Sequence, residues 1–263
     1  MTPIIKLDQV SVTYPGNTNG SVVALRDVNL QVRPGEFLCV IGPSGCGKST
    51  LLNLMAGFIQ PSSGRVTFDG ATIAQPGPER AMVFQDAALF PWLSVDGNID
   101  FAMRMQGLGP AQRQRTREQL ISLVGLEGFE RAHPHELSGG MKQRVAIARA
   151  LALTPRVLLM DEPFGALDAQ TRERLQDELL AIWTRMQTTI VFVTHNVEEA
   201  TYLGDRVAVI SQRPGRVLDV VPVGLERPRS RLEAGMCARK RDLFIMLPSC
   251  ANGASPESCC ACE

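Results

Sequence analysis

The stretch from Gly42 to Thr50 carries the most specific chemical signal in the chain. It contains the pattern G-x-x-x-x-G-K-[ST] of a phosphate-binding loop. Glycines in such a loop let the backbone wrap around a phosphate chain, so that successive N–H groups point inward. Lys48 is expected to reach the outer phosphates and Ser49 to hold Mg²⁺. The sequence therefore predicts a nucleotide site made of Gly42, Pro43, Ser44, Gly45, Cys46, Gly47, Lys48, Ser49 and Thr50.

Two adjacent carboxylates, Asp161 and Glu162, follow an apolar run that predicts a buried strand. Ligands bind at the carboxyl ends of strands in α/β sheets. Asp161 therefore suits Mg²⁺, directly or through water, and Glu162 suits the polarisation of a water molecule. Adjacent acids after a strand are also a common way for a loop to begin, so the pair alone leaves both interpretations open.

Three further polar or aromatic residues stand at the ends of predicted strands. Gln85 ends a strand that starts at Arg80, His195 follows a strand over 189–194, and Tyr14 ends the first strand of the chain. Gln85 suits contact with Mg²⁺ or the attacking water, but glutamine is also a common loop residue. A single histidine at a strand end is more often structural, and a strand-end tyrosine is more often an ordinary surface aromatic.

Ser138, Gly139 and Gly140 stand at the start of a predicted helix whose apolar face includes Val145 and Leu151. Two glycines at a helix start each cost about 1 kcal/mol relative to alanine. Glycine is tolerated where a ligand must approach the backbone closely. The stretch is therefore either a capped helix after a loop or a second anion site made of backbone N–H groups.

The pattern of apolar residues predicts the strands and helices that must position these residues. Phe37 to Ile41 predicts a buried strand before the phosphate-binding loop, and an apolar helical face follows the loop. A long helix is predicted over 169–186, directly after Asp168. Strands that alternate with helices imply an α/β fold, with a parallel sheet and right-handed crossovers.

The bulk composition limits the function. The 263 residues contain 27 Lys+Arg and 27 Asp+Glu, so no net charge drives binding to nucleic acid or an anionic membrane. No run of eighteen apolar residues is present, so a membrane-spanning helix is not expected. The N-terminal residues lack the layout of a secretory signal, and we expect a cytoplasmic protein.

The whole set of motifs, in this order, resembles the ATP-binding cassette (ABC) family over about residues 4–225. The resemblance implies an α/β P-loop NTPase of the ABC ATPase type, with a mixed sheet core, an antiparallel β subdomain and a helical subdomain. Residues 1–228 would form the nucleotide-binding domain. Its catalytic core would comprise 1–86 and 155–228, and its helical subdomain 87–154.

The resemblance also implies a role for each site residue. Glu162 would be the catalytic carboxylate, His195 the switch histidine at the γ-phosphate, and Gln85 a sensor of Mg²⁺ and water. Mg²⁺ would be held by Ser49, Gln85 and Asp161. The residues contacting ATP would be Tyr14 on adenine, Gly42 to Thr50, Asp168, and Ser138, Gly139 and Gly140 of the signature Leu137 to Met141. This signature is usually written LSGGQ, and Met141 departs from its last position.

The resemblance implies partners as well. Two cassettes would form a homodimer with ATP between them, and the stretch from Gln85 to Val95 would contact membrane permease subunits. A solute-binding protein outside the cytoplasm would act indirectly, and no nucleic acid is expected. Within the family, Pro91-Trp92-Leu93 is similar to the ATPases of nitrate, sulfonate and taurine importers. The chain would then be a peripheral protein on the cytoplasmic face of the cell membrane.

Two other functions remain open at this point. A soluble ABC-type ATPase could act as a switch in repair or translation, although such relatives often carry tandem cassettes or long insertions. A stand-alone P-loop kinase or GTPase would not need the stretch from Leu137 to Gly140.

The end of the chain departs from the family pattern. Residues 229–263 are expected to form a divergent, poorly ordered tail, because composition shifts there and termini are generally loose. The tail ends in Cys259-Cys260-Ala261-Cys262, which is not the usual C-x-x-C spacing of a metal site. Removal of residues 249–263 is expected to leave ATPase activity unchanged.

Overall fold

The computed structural model describes residues 2–15 and 20–247. The chain divides into two compact units, the first formed by Met1–Pro76 with Thr189–Glu263 and the second by Gly77–Thr188. The predicted helical subdomain, residues 87–154, falls within the second unit. The finer division into a catalytic core and a helical subdomain stays a prediction.

The first unit carries two sheets. Its elements in chain order are β1 (Ile5–Pro15), β2 (Ser21–Val32), β3 (Phe37–Ile41), α1 (Lys48–Ala56), β4 (Ser63–Phe68) and β5 (Ala71–Thr72). After the second unit follow β8 (Thr189–Thr194), α6 (Val197–Leu203), β9 (Arg206–Ile210), β10 (Val217–Pro222) and α7 (Ala234–Met246). Strands β2, β1, β4 and β5 form an antiparallel sheet in that order.

The second sheet of this unit has the order β10-β9-β3-β8. Strand β3 runs parallel to β8 and β9, whereas β10 is antiparallel to β9. Every residue of β3 and β8 is buried, as expected for parallel strands that are covered on both faces. The predicted α/β fold, with a mixed sheet and a separate antiparallel sheet, is therefore confirmed.

The second unit combines two parallel strands with four helices. Its elements are β6 (Arg80–Val83), α2 (Val95–Met105), α3 (Pro110–Leu123), α4 (Gly139–Leu151), β7 (Val157–Asp161) and α5 (Ala169–Met186). A short 3₁₀ turn, Pro134–Glu136, precedes α4. Helix α4 packs against α2, α3, α5 and β6, and so it is central to this unit.

Several elements have the bounds that the apolar pattern predicts, including β3, β8 and α5. The strand predicted to reach Gln85 ends earlier, at Val83. The reason is that the pairing of β6 with β7 stops at Val83 and Met160, after which the chain becomes exposed. Gln85 consequently lies in the loop beyond the strand.

The expectation of a poorly ordered tail from residue 229 is wrong for residues 229–247. Helix α7 packs against α6 and buries Met236 and Leu243, which lie two helical turns apart on one face. Arg229 is only 7% exposed. Residues 248–263, with the terminal cysteines, lie outside the described residues.

Arg229 holds the end of α6 through its guanidinium group. Its Nη1 donates to the carbonyl oxygens of Thr201, Tyr202 and Gly204, each at 2.8 Å. The carbonyls at the end of a helix have no intrahelical donors, so a buried cation there satisfies them. Burial is the main cause that lowers the pKa of Arg229 to about 10, and the charge of the nearby Arg227 is the second. At this pKa the guanidinium group is charged at neutral pH.

In the part of the chain that the structure describes, the helices fall short of the length and apolar character that a bilayer-crossing segment requires.

We predict that Arg229→Met lowers the free energy of unfolding by about 2–3 kcal/mol, because buried carbonyls lose a charged donor. Chemical denaturation of the full chain would measure the change. Arg229→Lys is the matched control, and it should recover only part of the loss, because one ammonium group cannot replace the guanidinium fork. An unchanged denaturation midpoint in the methionine variant would contradict this account.

Candidate functional site

The phosphate-binding loop connects β3 to α1 in a conformation that requires glycine. Gly45 and Gly47 have φ values of 76° and 101°, in the left-handed region that favours glycine. A Cβ at Gly42 would lie 2.9 Å from both the Cys46 Sγ and the Ile210 carbonyl oxygen. The loop therefore presents backbone at places where side chains cannot fit.

Lys48 begins helix α1 and turns back beneath the loop. Its Nζ donates to the carbonyl oxygens of Gly42 at 2.8 Å and Pro43 at 3.1 Å, and the residue is 6% exposed. Ser49 is exposed in the first turn of α1. A buried ammonium group and a helix N-terminus both favour an anion, so this loop has the charge that a phosphate group requires.

Gly215 supports the loop from the turn between β9 and β10. A Cβ there would overlap the carbonyl oxygen of Cys46. Its own N–H donates to Ala24 O at 2.9 Å, and its carbonyl accepts from Arg26 N at 3.0 Å. No local pattern indicates this role, because the contact joins positions far apart in the chain.

Tyr14 and His195 lie in the same unit as the loop. The Tyr14 hydroxyl donates to Thr50 Oγ1 at 3.4 Å, and the residue is 37% exposed, so an aromatic side chain stands beside the loop. Ile41 pairs with Thr194 across β3 and β8. The loop and the exposed His195 therefore leave neighbouring strands at the same edge of the sheet.

A buried hydroxyl fixes the turn that carries His195. Thr194 Oγ1 donates to Glu199 Oε2 at 2.5 Å and accepts from Asn196 N at 3.0 Å. Asn196 Oδ1 in turn caps α6 by accepting from the N–H groups of Glu198 and Glu199. This network positions the backbone on both sides of the histidine, and no local pattern in the sequence indicates it.

In the second unit, Gln85 and Glu162 converge on Gly165. A Cβ at Gly165 would lie 3.5 Å from Gln85 Nε2 and 3.8 Å from Glu162 Oε2. Asp161 is the last residue of β7, and Glu162 has a φ of 42°, which is uncommon for a residue with a side chain. Non-glycine residues in such conformations cluster at functional sites.

The signature stretch opens α4 in the second unit. Ser138 caps the helix by accepting from Met141 N at 3.3 Å, so the predicted capped helix is present. A Cβ at Gly140 would lie 2.9 Å from Thr171 Cγ2 on α5, which explains this glycine by packing. Gly139 is exposed. The second anion site stays a prediction.

Asp168 caps α5 by accepting from Thr171 N at 3.0 Å. Hydrogen bonds from the backbone N–H and then the side chain of Thr171 lower the pKa of Asp168, so its carboxylate is charged at neutral pH. A contact with nucleotide at this position stays a prediction.

Within residues 2–15 and 20–247, no cluster of three or more His, Cys, Asp or Glu side chains is arranged to bind a metal.

The α/β fold and the glycine-shaped loop at a helix N-terminus define a P-loop nucleotide-binding protein. A family model described as ABC transporter matches residues 25–165, which include the loop, the signature stretch and Glu162. Since that match covers more than half of the chain, the chain belongs to the ABC transporter family. The predicted family is thereby confirmed.

Relatives extend the similarity over most of the chain. The nitrate import ATP-binding protein NrtD of Synechocystis sp. is 50% identical over 216 residues, covering 81% of this chain and 81% of the relative. The taurine import ATP-binding protein TauB of Pseudomonas putida is 45% identical over 242 residues, covering 92% and 91%.

A solved structure shows the same fold. The dimeric ATP-binding cassette MJ0796, in a post-hydrolysis state bound to ADP and Pi, superposes with a TM-score of 0.75 at 31% sequence identity. The match covers 84% of this chain and all of that chain.

We predict that Gly215→Ala weakens nucleotide binding, because the added methyl group forces the Cys46 backbone out of place. Overpacking of this kind costs about 1–3 kcal/mol. Affinity for a fluorescent ATP analogue, measured alongside the melting temperature, would separate loss of the site from loss of the fold. Gly109→Ala is the control, since a Cβ there meets nothing within 4 Å. Unchanged affinity in the Gly215 variant would refute the supporting role.

We predict that Thr194→Val lowers the free energy of unfolding by about 1–3 kcal/mol, because the buried Glu199 carboxylate and the Asn196 N–H each lose a partner. The maximal rate of ATP hydrolysis should also fall, since the His195 turn loosens. Thr194→Ser keeps the hydroxyl and should restore both quantities. If valine were as good as serine in denaturation and in turnover, the network would not position the turn.

Proposed function

We propose that this chain is the ATP-hydrolysing subunit of an ABC importer that couples ATP binding and hydrolysis to solute uptake. The observation that carries the proposal is the presence, in one chain, of the glycine-shaped loop at Gly42–Thr50 and a capped signature helix at Ser138. Relatives named for nitrate and taurine import support the direction of transport. They favour this function over a soluble switch in repair or translation.

In this proposal the first unit binds ATP. The N–H groups between Gly42 and Thr50 surround the phosphates. The Lys48 ammonium group, which donates to two loop carbonyls, lies where it can also bind the phosphates. Tyr14 offers a partly exposed ring to the adenine. The exposed His195 contacts the γ-phosphate.

We further propose that the hydrolysis requires Mg²⁺. Ser49 and Asp161 supply hydroxyl and carboxylate oxygens and Gln85 an amide oxygen, which are the ligands that this cation prefers. The exposed position of Ser49 at the first turn of α1 fits such a role. When bound, Mg²⁺ would neutralise charge on the phosphate oxygens.

The chemical step is assigned to the second unit. Glu162 accepts the proton of the attacking water as a general base, and Gln85, whose amide converges with it on Gly165, orients that water. The left-handed conformation of Glu162 supports this assignment, because residues with side chains in such conformations cluster at functional sites.

We propose that two copies of the chain act as a dimer. Ser138, Gly139 and Gly140 of one copy, at a helix N-terminus, would contact the phosphates bound by the loop of the other copy. The dimeric state of the similar cassette MJ0796 supports this arrangement. Asp168, which caps α5, would lie at the same interface.

The permease would bind the segment from Gln85 to Val95. Trp92 is 71% exposed in this segment, and Phe101 and Met105 on α2 are exposed as well. Exposed aromatic residues suit a partner interface, and this exposure argues against a core role for Trp92. A peripheral position on the cytoplasmic face of the membrane follows from this contact, and an external solute-binding protein would select a nitrate, sulfonate or taurine-type solute.

We predict that Glu162→Gln retains ATP binding but lowers the rate of hydrolysis at least about 100-fold, since a general base contributes that much or more. Hydrolysis at saturating ATP and gel filtration with ATP would be measured together, and ATP should hold the variant as a dimer. Glu226→Gln, at an exposed acid, is the control. Normal turnover in the Glu162 variant would overturn the catalytic assignment.

A further inference from the structure

We propose that Arg149 is a positioning residue that fastens the permease-contacting loop to the signature helix, so that the two move as one body. This inference rests on the proposed function for the identity of the partner, but the attachment itself is a property of the second unit alone. The loop concerned is defined here as residues 87–94 and is called the contact loop.

Arg149 lies near the end of α4 and binds the contact loop by three interactions. Its Nη1 donates to Ala88 O at 2.8 Å, and its Nη2 donates to Ala87 O at 3.1 Å. Its guanidinium carbon lies 5.4 Å from the centroid of the Phe90 ring. One planar fork therefore satisfies two successive carbonyls and stacks on an aromatic ring, which lysine cannot do. Burial lowers the pKa of Arg149, in accord with a largely desolvated guanidinium group.

The backbone at Ala88 shows that the loop is held rather than relaxed. Its φ is 47°, in the left-handed region that is unfavourable for a residue with a Cβ. Such a conformation persists only where neighbouring groups enforce it. The carbonyl of this residue is the one that receives the shorter bond from Arg149.

Asn98 on α2 holds the other end of the contact loop. The residue is fully buried, and its side-chain oxygen accepts from Phe90 N at 2.9 Å. Its side-chain nitrogen donates to the carbonyl oxygens of Phe90, Leu93 and Ser94. Trp92 therefore projects from a loop that is bound on both sides, with its ring 5.5 Å from that of Phe90.

Helix α4 connects this attachment to the signature stretch. It has 13 residues, so it is about 20 Å long, with Arg149 in its last turn and Gly139 and Gly140 in its first. Gln143, on the same helix, donates to Phe84 O at 3.4 Å and adds a second tie just before the loop. A displacement of the contact loop by the permease would thus be passed to the Ser138 end of one continuous hydrogen-bonded helix.

The mobility of Trp92 tests the attachment without any partner or nucleotide. The chain has two tryptophans, so Trp183→Phe leaves Trp92 as the only one. In that background, Arg149→Met should raise the nanosecond mobility of Trp92 and lower its residual fluorescence anisotropy by about half. Arg149→Lys should recover only part of the lost anisotropy. Arg104→Met, which removes an exposed cation from α2, should leave the anisotropy unchanged. Wild-type anisotropy in Arg149→Met would overturn the inference.

Binding to the permease tests the consequence. Inside-out vesicles from the source cells, stripped of peripheral proteins, would be titrated with each full-length variant. Arg149→Met should bind several-fold more weakly than the unsubstituted chain, while the KM for ATP of the isolated protein stays unchanged. Equal binding by the methionine variant and the unsubstituted chain would overturn the role of Arg149 in positioning the contact loop. If the methionine variant does not fold, Trp92 anisotropy and vesicle binding would both be measured on Arg149→Lys instead. Wild-type anisotropy and binding in the lysine variant would also count against the inference.

The experiments distinguish failure of the proposed importer function from failure of the proposed attachment through Arg149. If the unsubstituted chain does not bind stripped vesicles, the importer assignment is wrong, whereas the Trp92 anisotropy would still report on the attachment. If it binds and hydrolyses ATP but Trp92 is equally mobile in all variants, the assignment stands and the attachment through Arg149 is refuted.

Discussion

A phosphate chain reaches backbone N–H groups only where no side chain intervenes, and this constraint governs the first unit. Gly42 has no room for a Cβ, and Gly45 and Gly47 adopt left-handed conformations. The buried strand β3 delivers the loop, and α1 supplies a helix N-terminus at its end. Two loop carbonyl oxygens hold the Lys48 ammonium group under the loop, which adds a positive charge to the N–H groups there.

In the second unit, polar side chains cap the N-termini of helices that follow loops. Ser94, Ser138 and Asp168 each accept a hydrogen bond from a backbone N–H in the first turn of α2, α4 and α5. Such caps stabilise each helix by about 1 kcal/mol. They also fix where the helix begins, and the proposed ligand and partner contacts lie at these beginnings.

The sequence predicted the parts of the molecule in which local pattern and chemistry agree. Strands β3 and β8 have the predicted bounds because each is a continuous buried run, and helix α5 because its apolar residues recur at helical spacing. The loop at Gly42 was recognised because its spacing is specific. Gly215 and Arg149 were missed, since each acts on backbone groups distant in the chain. Asn98 was missed because its partners lie in the irregular loop just before α2, whose path no apolar pattern predicts. Residues 229–247 were misjudged because Arg229 is bound by carbonyls at the end of α6, a long-range contact that composition does not reveal.

The turn between β9 and β10 shows how a surface connection can lose its usual freedom. Connecting segments ordinarily tolerate insertions and deletions during evolution. Here Ser211 N donates to Arg216 O at 2.9 Å, while Gly215 lies against the Cys46 carbonyl of the phosphate-binding loop. A gained or lost residue would shift that contact by a full step of the chain. A change in the length of this turn is therefore expected to disturb the nucleotide site, although no residue of the turn needs to touch ATP.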